Sequence, residues 1–135
     1  ISEEFNSSEH ENFLSDLTIS NATIEHVGCS NNQKKMIENM IKFSKKYFII
    51  ITPNRFHPIE FHTKLPFIHW LPKKLHRIIL KKLKFDQLCK EENLNLLSFR
   101  EIRGFLSSFK NINYKLKCIN LFGFKSNIII LGTKT

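Results

Sequence analysis

The fold of this chain is decided by residues 47–55, which read YFIIITPNR. The apolar run fits a strand that is buried on both faces, and it changes abruptly into polar residues. Residues 16–28, DLTISNATIEHVG, have the same form, a short strand followed by Ser, Asn, Glu and His. Ligands of open α/β sheets bind beyond the carboxyl ends of such strands. Both runs therefore predict polar groups on one rim of a sheet.

Length and composition indicate that residues 1–135 are one soluble unit or a piece of one. The chain is 41% hydrophobic, which is enough for a single core, and no apolar stretch approaches the roughly 18 residues of a membrane-spanning helix. Its three cysteines, Cys29, Cys89 and Cys118, are far apart and lack C-x-x-C spacing. This pattern argues against a disulfide framework or a zinc site. With no secretory signal pattern at the N-terminus, we expect a cytoplasmic protein.

The net charge of +9 raises the question of nucleic-acid binding, because clustered cations gain affinity for phosphates by releasing counterions. Most of the cations are lysines, in a chain also rich in Asn, Ile and Phe, and A/T-rich codons encode all of these residues. No zinc finger, basic zipper or RNA-binding aromatic motif is present. Nucleic-acid binding is therefore not favoured.

A strand, a helix and a second strand are predicted in succession over residues 17–51. Ser30 and Gln33 fit a capping box at the start of the helix. An apolar stripe at helical spacing follows, formed by Met36, Ile37, Met40, Ile41 and Phe43. With strands at 17–21 and 47–51, this is a βαβ crossover, which implies parallel strands and a right-handed connection.

Residues 56–97 are predicted to form an insert, or lid, on the substrate side of the sheet. This segment contains three of the four prolines among many aromatic and basic residues. Residues 73–85 fit a basic amphipathic helix with Leu75, Ile78, Ile79 and Leu83 on one face. Two interpretations stay open for this helix: a lid or peripheral membrane contact through residues 73–84, or a surface helix that packs its stripe on the core.

The last third of the chain predicts a helix followed by a hairpin. Ser98 and Glu101 form a second capping box, and Phe99, Ile102, Leu106 and Phe109 follow at helical spacing. Strands at 114–122 and 128–133 flank turn residues that include Gly123. The fold class is therefore α/β, with a terminal antiparallel hairpin.

Residues 20–28, SNATIEHVG, residues 52–62, TPNRFHPIEFH, and residues 69–72, HWLP, together resemble the class I S-adenosylmethionine-dependent methyltransferases, and within them the methyltransferase type 11 group. The resemblance runs from about Asp16 to the C-terminus. It implies a Rossmann-like sheet of order 3-2-1-4-5-7-6, of which this chain supplies strands four to seven, mostly parallel with a terminal antiparallel hairpin.

The family's glycine-rich loop after the first strand and its acidic residue after the second strand have no counterpart here. The four glycines, Gly28, Gly104, Gly123 and Gly132, form no such loop. The resemblance therefore implies the C-terminal half of one methyltransferase domain, with the N-terminal half as its partner. Strand 17–21 would then be an open edge, which predicts instability or self-association of the isolated chain.

The resemblance also implies a cofactor and an acceptor site. It places Ser20, Asn21, Ala22 and Glu25 at the methionine end of S-adenosylmethionine and His26 where cofactor and acceptor meet. His26 is the candidate general base, since imidazole titrates near neutral pH, although it could instead cap or pack the following helix. Asn21 could equally be an ordinary turn residue, and Glu25 could orient His26 or only begin a helix.

The substrate-side residues implied are Asn54, Arg55, His57, Glu60, His62 and Trp70, with Phe56, Phe61 and Phe67 as possible walls of an apolar acceptor pocket. Arg55 could bind a carboxylate or phosphate, or could pair with Glu60. Metal binding by His57, His62, His69 and His76 is not expected, because their spacings of five, seven and seven do not place two ligands on one helix face.

Three functions from different classes remain. The first is methyl transfer from S-adenosylmethionine to a small-molecule or lipid-like acceptor, with this chain as the substrate-side half. The second is a non-catalytic methyltransferase-like remnant that binds no cofactor. The third is a basic module that binds anionic membrane or nucleic acid through residues 73–84, with an affinity that falls steeply with salt.

Overall fold

The computed structural model describes residues 13–134. The chain forms strand β1 (Ser15–Asn21), helix α1 (Ser30–Phe43), strand β2 (Ser44–Pro53), helices α2 (Lys73–Lys82) and α3 (Phe99–Leu106), and strands β3 (Ile112–Leu121) and β4 (Phe124–Lys134). Two short 3-10 turns lie at Ile24–His26 and Ile68–Trp70. Each predicted helix and strand is present, with ends that differ by a few residues.

The four strands form one mixed sheet of order β1-β2-β4-β3. β1 runs parallel to β2, with Thr18 opposite Phe48 and Asn21 opposite Ile51, which confirms the predicted pairing of strands 17–21 and 47–51. β4 is antiparallel to both β2 and β3. Three of the four strands, β1, β2 and β3, therefore run in the same direction, and only β4 is reversed. The predicted terminal antiparallel hairpin is present, and because β4 lies between β2 and β3 only one of the three pairings is parallel.

Helix α1 connects the two parallel strands, but it does not begin with the predicted capping box. Its N-cap is Cys29, which makes no side-chain capping bond, and Ser30 is already helical. Gln33 is buried and donates through Nε2 to the backbone oxygens of Ile24 and Asn95 at 3.1 and 2.7 Å. The predicted capping box at Ser30 is wrong, because Gln33, which would have completed it, bonds to distant backbone oxygens instead.

The capping box of α3 is confirmed. Ser98 Oγ accepts from the backbone N–H of Glu101 at 3.3 Å, and the Glu101 carboxylate accepts from the backbone N–H of Ser98 at 2.8 Å. Two orphan amides at the helix start are thereby satisfied. Ser98 is itself buried, so this helix start is fixed against the core.

The core lies on one face of the sheet. Phe48 and Ile50 of β2 and Ile128 and Ile130 of β4 point to this face and pack against α1 and α3, whose contributions are Ile37, Ile102 and Leu106. Gly132 lies opposite Phe48 in the sheet, and an added Cβ there would come within 2.0 Å of the Phe48 ring. The absence of a side chain at residue 132 lets the aromatic ring lie flat on the strand.

The opposite face of the sheet is apolar and lacks a helix layer within residues 13–134. Leu17, Ile19 and Tyr47 lie on it and are 41%, 62% and 52% exposed. They continue into the half-buried Ile49 and Leu131 on the adjacent strands. β1 is also an edge strand, since β2 is its only neighbour among the described residues. The free edge of the sheet and its exposed apolar face therefore meet at β1.

In the insert between β2 and α3, α2 packs by a face different from the predicted one, beside the 3-10 turn at Ile68–Trp70. His76 and Leu80 are buried, whereas Leu75, Ile78 and Leu83 are exposed. The predicted packing of the Leu75 stripe on the core is therefore wrong. No helix of residues 13–134 combines the length and apolar character needed to span a membrane.

Candidate functional site

The polar rim predicted from the two strand ends is present. β1 and β2 are parallel, so Asn21 and Pro53 finish at the same edge of the sheet, and the segments that follow both strands lie there. Residues Ser20, Asn21 and Ala22 end β1, and Asn54 and Arg55 follow β2. This edge is the position at which open α/β sheets bind ligands.

The end of β1 has a constrained backbone. Ala22 has a φ of +50°, in the left-handed region that residues with a Cβ rarely adopt. Its N–H donates to the carbonyl of Ile51 at 2.9 Å, so it continues the ladder to β2 while the chain turns away. Ser20 is buried, and its hydroxyl has no hydrogen-bond partner among the described residues. Asn21 and Ala22 are exposed.

Three side chains converge beyond this strand end: Glu25, His26 and His62. One ligand atom of each lies within 4.8 Å of those of the other two. The Nε2 atoms of His26 and His62 are 3.1 Å apart, and the two rings meet edge to face with centroids 4.9 Å apart. The 3-10 turn at Ile24–His26 positions the first two residues, and the insert supplies His62. The sequence-predicted base and a predicted substrate residue therefore form one cluster.

Glu25 is fully buried, which its place after an edge strand did not predict. Oε2 accepts from the Thr52 hydroxyl at 2.9 Å, and Oε1 has no hydrogen-bond partner among residues 13–134. Its backbone oxygen accepts from the N–H of Asn95 at 2.7 Å. Glu25 is thus held at its backbone and at one of its two carboxylate oxygens.

Glu60 holds His62 in place. Its carboxylate accepts from His62 Nδ1 at 2.6 Å and from the backbone N–H groups of His62 and Thr63 at 2.9 and 2.6 Å. Burial acts to raise the pKa of Glu60, but these hydrogen bonds outweigh it and lower the pKa to about 2. The same hydrogen bond raises the pKa of His62 above its ordinary value, against the opposing effect of burial. Glu60 is therefore a positioning residue for the cluster.

His26 is oriented by a residue that sequence inspection missed. Its Nδ1 donates to the backbone oxygen of Asn93 at 2.5 Å. The segment that carries Asn93 is anchored by the buried Asn95, which donates to the Gly28 oxygen at 2.9 Å. Asn95 also accepts from Lys73 Nζ at 2.8 Å. No motif marks these asparagines, because their partners, His26, Gly28 and Lys73, are distant in sequence.

Arg55 is used to hold the insert. Its guanidinium donates to the backbone oxygens of His69 and Leu71 at 3.1 and 2.7 Å, and burial lowers its pKa below the ordinary value. The proposed pairing of Arg55 with Glu60 is absent from the described residues, because Glu60 is engaged by His62 and Thr63. Acceptor binding by Arg55 stays a prediction.

His57 and Trp70 also bond to the insert backbone, and Asn54 joins the start of the insert to β4. Asn54 Oδ1 accepts from the backbone N–H of Phe56 at 3.2 Å. Asn54 Nδ2 donates to the oxygen of Lys125 at 2.8 Å, and the His57 oxygen accepts from His69 Nε2 at 2.5 Å and Trp70 Nε1 at 3.2 Å. Asn54 and His57 are buried, and Trp70 is partly exposed beside Phe67. Of the predicted substrate residues, the structure brings His62 and its partner Glu60 to the cluster, while the other four fix the shape of the insert.

The fold is similar to that of an O-methyltransferase family protein from Burkholderia thailandensis, with a TM-score of 0.58 and 10% sequence identity. That match covers 96% of this chain and 33% of the other protein. The fold is also similar to that of the magnesium protoporphyrin IX methyltransferase from Synechocystis PCC 6803, which was solved with bound SAH. This second match has a TM-score of 0.50 and 12% sequence identity, and it covers 90% of this chain and 46% of the other protein. No protein-family model and no curated protein matches the chain. At these identities the likeness concerns the fold, and the chain spans less than half of either protein.

Proposed function

We propose that this chain is the acceptor-side half of an S-adenosylmethionine-dependent methyltransferase domain that acts on a small-molecule or lipid-like acceptor. The observation that carries the proposal is the strand order β1-β2-β4-β3 with a parallel first pair, shared with part of two solved methyltransferases. In the sheet order expected for the family, these are the fourth, fifth, seventh and sixth strands. The open edge of β1 is where the first strand of a complete domain would pair.

The exposed apolar face supports the same proposal. Leu17, Ile19 and Tyr47 lie beside the free edge, on the face that no helix of residues 13–134 covers. In doubly wound domains helices cover both faces of the sheet. The N-terminal half of a methyltransferase domain would supply both the neighbouring strand and a covering layer.

Methyl transfer requires a nucleophile in line with the sulfonium methyl group and the exclusion of water. We assign the cofactor's methionine end to Ser20, Asn21, Ala22 and Glu25, which end β1 or follow it directly. His26 Nε2 then takes the acceptor proton, if the acceptor arrives protonated, while the Asn93 carbonyl fixes the ring and His62 shares the proton. The insert around Trp70 forms the acceptor side. We also propose a cytoplasmic location, because the three free cysteines fit a reducing compartment.

The test uses the product of the whole reading frame that encodes this chain. Calorimetric titration with S-adenosylmethionine is expected to show binding. His26→Gln is expected to lower kcat by about 100-fold with little change in cofactor affinity, as for removal of a general base. His76→Gln, which changes a histidine outside the cluster, is the matched control. Absence of any cofactor binding would contradict the proposal and favour a non-catalytic remnant.

A second candidate function has one specific observation in its favour. Leu75, Ile78 and Leu83 of the α2 segment are exposed, and they are flanked by the exposed lysines Lys74, Lys81, Lys82 and Lys84. Such a stripe suits the surface of an anionic membrane, and a lipid-like acceptor would be reached from it. Sedimentation with anionic vesicles that weakens as salt is raised would support this contact. Equal binding to zwitterionic vesicles, or none to either, would contradict it.

A further inference from the structure

We infer that Glu25, His26 and His62 bind one divalent transition-metal ion, for which Zn²⁺ is the representative probe. The site combines a strand end, a buried carboxylate and a residue of the insert. It does not depend on the proposed function, because metal binding is measured without cofactor or acceptor.

The hydrogen bonds of the two imidazoles carry the inference. A backbone carbonyl can only accept, so His26 Nδ1, 2.5 Å from the Asn93 oxygen, carries a proton. His62 Nδ1 likewise donates to the Glu60 carboxylate, which already accepts from two backbone N–H groups. In the neutral rings both Nε2 atoms therefore present lone pairs, and these lone pairs face each other at 3.1 Å. Two facing acceptors need a cation between them, either a proton or a metal ion.

Glu25 favours the metal ion over the proton. It is fully buried, and its Oε1 has no hydrogen-bond partner among the described residues. A buried carboxylate oxygen without a donor is costly unless a cation meets it. A single proton shared between the two imidazoles would leave that oxygen unsatisfied. A metal ion bound to both Nε2 atoms can also bind a carboxylate oxygen of Glu25, because one ligand atom of each residue lies within 4.8 Å of the others.

The surrounding contacts are those of a metal site. Metal-bound histidines usually donate their other ring N–H to a carboxylate or a backbone carbonyl, and here His62 does the first and His26 the second. Thr52 in turn orients the Glu25 carboxylate through its hydroxyl. His26 is exposed and His62 is partly exposed, so an ion can enter from solvent.

The donor set selects the kind of ion. Two imidazoles and one carboxylate suit Zn²⁺, Co²⁺ or Fe²⁺ better than Mg²⁺ or Ca²⁺, which prefer oxygen ligands. Three protein ligands leave at least one coordination position open, as in catalytic rather than structural zinc sites. In the ion-loaded chain the His26 Nε2 lone pair is occupied, so the roles of ligand and general base exclude each other at this atom.

The test is titration of the chain with Zn²⁺ and Co²⁺ in the absence of cofactor. One equivalent is expected to bind, and the Co²⁺ form is expected to show visible bands of nitrogen and oxygen ligands without thiolate charge transfer. Glu25→Gln, His26→Gln and His62→Gln should each weaken Zn²⁺ affinity by at least about 100-fold. Glu60→Gln should weaken it by about 10- to 100-fold, because this residue only orients His62.

The control is His76→Gln, a histidine of the insert outside the cluster, which should leave Zn²⁺ affinity unchanged. Circular dichroism of each variant establishes that it is folded. Zinc affinity that is equal in the wild type and the three cluster variants, a thiolate spectrum with Co²⁺, or no bound equivalent would each overturn the inference. If no equivalent of Zn²⁺ binds, the imidazoles of His26 and His62 share a proton instead.

Discussion

At the scale of single residues, Gly132 is expected to tolerate no side chain. An alanine Cβ would lie 2.0 Å from the fully buried Phe48 ring, so ring or strand must move. We predict that Gly132→Ala lowers the free energy of unfolding by about 3 kcal/mol. Gly104→Ala is the matched control: it has no heavy atom within 4 Å and lies in α3, so it should raise stability by about 0.5–1 kcal/mol. Urea denaturation of both variants tests this, and equal effects would contradict the packing described here.

His76 should make the chain less stable in acid. Burial lowers its pKa from 6.5 to about 4, and its buried Nε2 has no partner among the described residues. Below pH 6.5 the unfolded chain binds a proton that the folded chain does not. Stability is therefore lost as the pH falls from 6.5 to about 4, by about 3 kcal/mol in total. The charged and titratable groups that influence His76 are His69, Glu60, Arg55 and Arg77.

The comparison of wild type with His76→Leu isolates this effect. The variant should lose less stability between pH 6.5 and 4 in denaturant titrations, because leucine has no proton to bind. Groups that do not interact with His76 titrate equally in both proteins and cancel in the difference. Parallel curves for the two proteins would show that His76 does not cause the acid lability.

The cluster at the rim could be predicted from sequence only in part. His26 was found because it directly follows a strand end, where site residues are expected. Its partnership with His62 was not found, since spacing along the chain relates nearby histidines and these two lie 36 residues apart. Asn93, Asn95 and Thr52 were missed for a similar reason, because the role of each depends on one tertiary contact. Asn93 contacts His26, Asn95 contacts Gly28 and Thr52 contacts Glu25.

At the scale of elements, the two helix starts predicted as capping boxes differ in a testable way. Ser98→Ala removes a side chain that caps α3, and we expect the free energy of unfolding to fall by about 1 kcal/mol. Ser30→Ala is the matched control, because Ser30 lies inside α1 and does not cap it. It should change stability by less than about 0.5 kcal/mol. Thermal unfolding monitored by circular dichroism would contradict this account if both substitutions had the same effect.

The elements themselves were largely predictable because each has a strong local pattern. The apolar runs at 47–51 and 128–131 and the stripe around Ile37 supply core residues on one face of the sheet. Burial of the 47–51 strand on both faces is wrong among the described residues, because Tyr47 is 52% exposed on the other face. Which face of α2 is buried was not predictable. His76 and Leu80 pack inward because Arg55 and Lys73 fix the segments around them, and no periodicity encodes those bonds.

At the scale of the whole molecule, the exposed edge and face at β1 should make the chain self-associate. Ile19 is 62% exposed on the uncovered face, so Ile19→Lys adds a charge without disturbing the core. We predict that it reduces concentration-dependent association in sedimentation velocity. Ile78→Lys is the matched control, since Ile78 is 53% exposed on α2, outside the sheet. A strictly monomeric wild type, or equal effects of both variants, would contradict the prediction.

The central claim is that the rim formed by the ends of β1 and β2 holds the methyl donor. The most direct measurement is hydrogen exchange on the product of the whole reading frame, with and without S-adenosylmethionine. Residues 20–26 are expected to exchange more slowly when the cofactor is bound, with little change in α2. Unchanged exchange at residues 20–26 in the presence of saturating cofactor would contradict it.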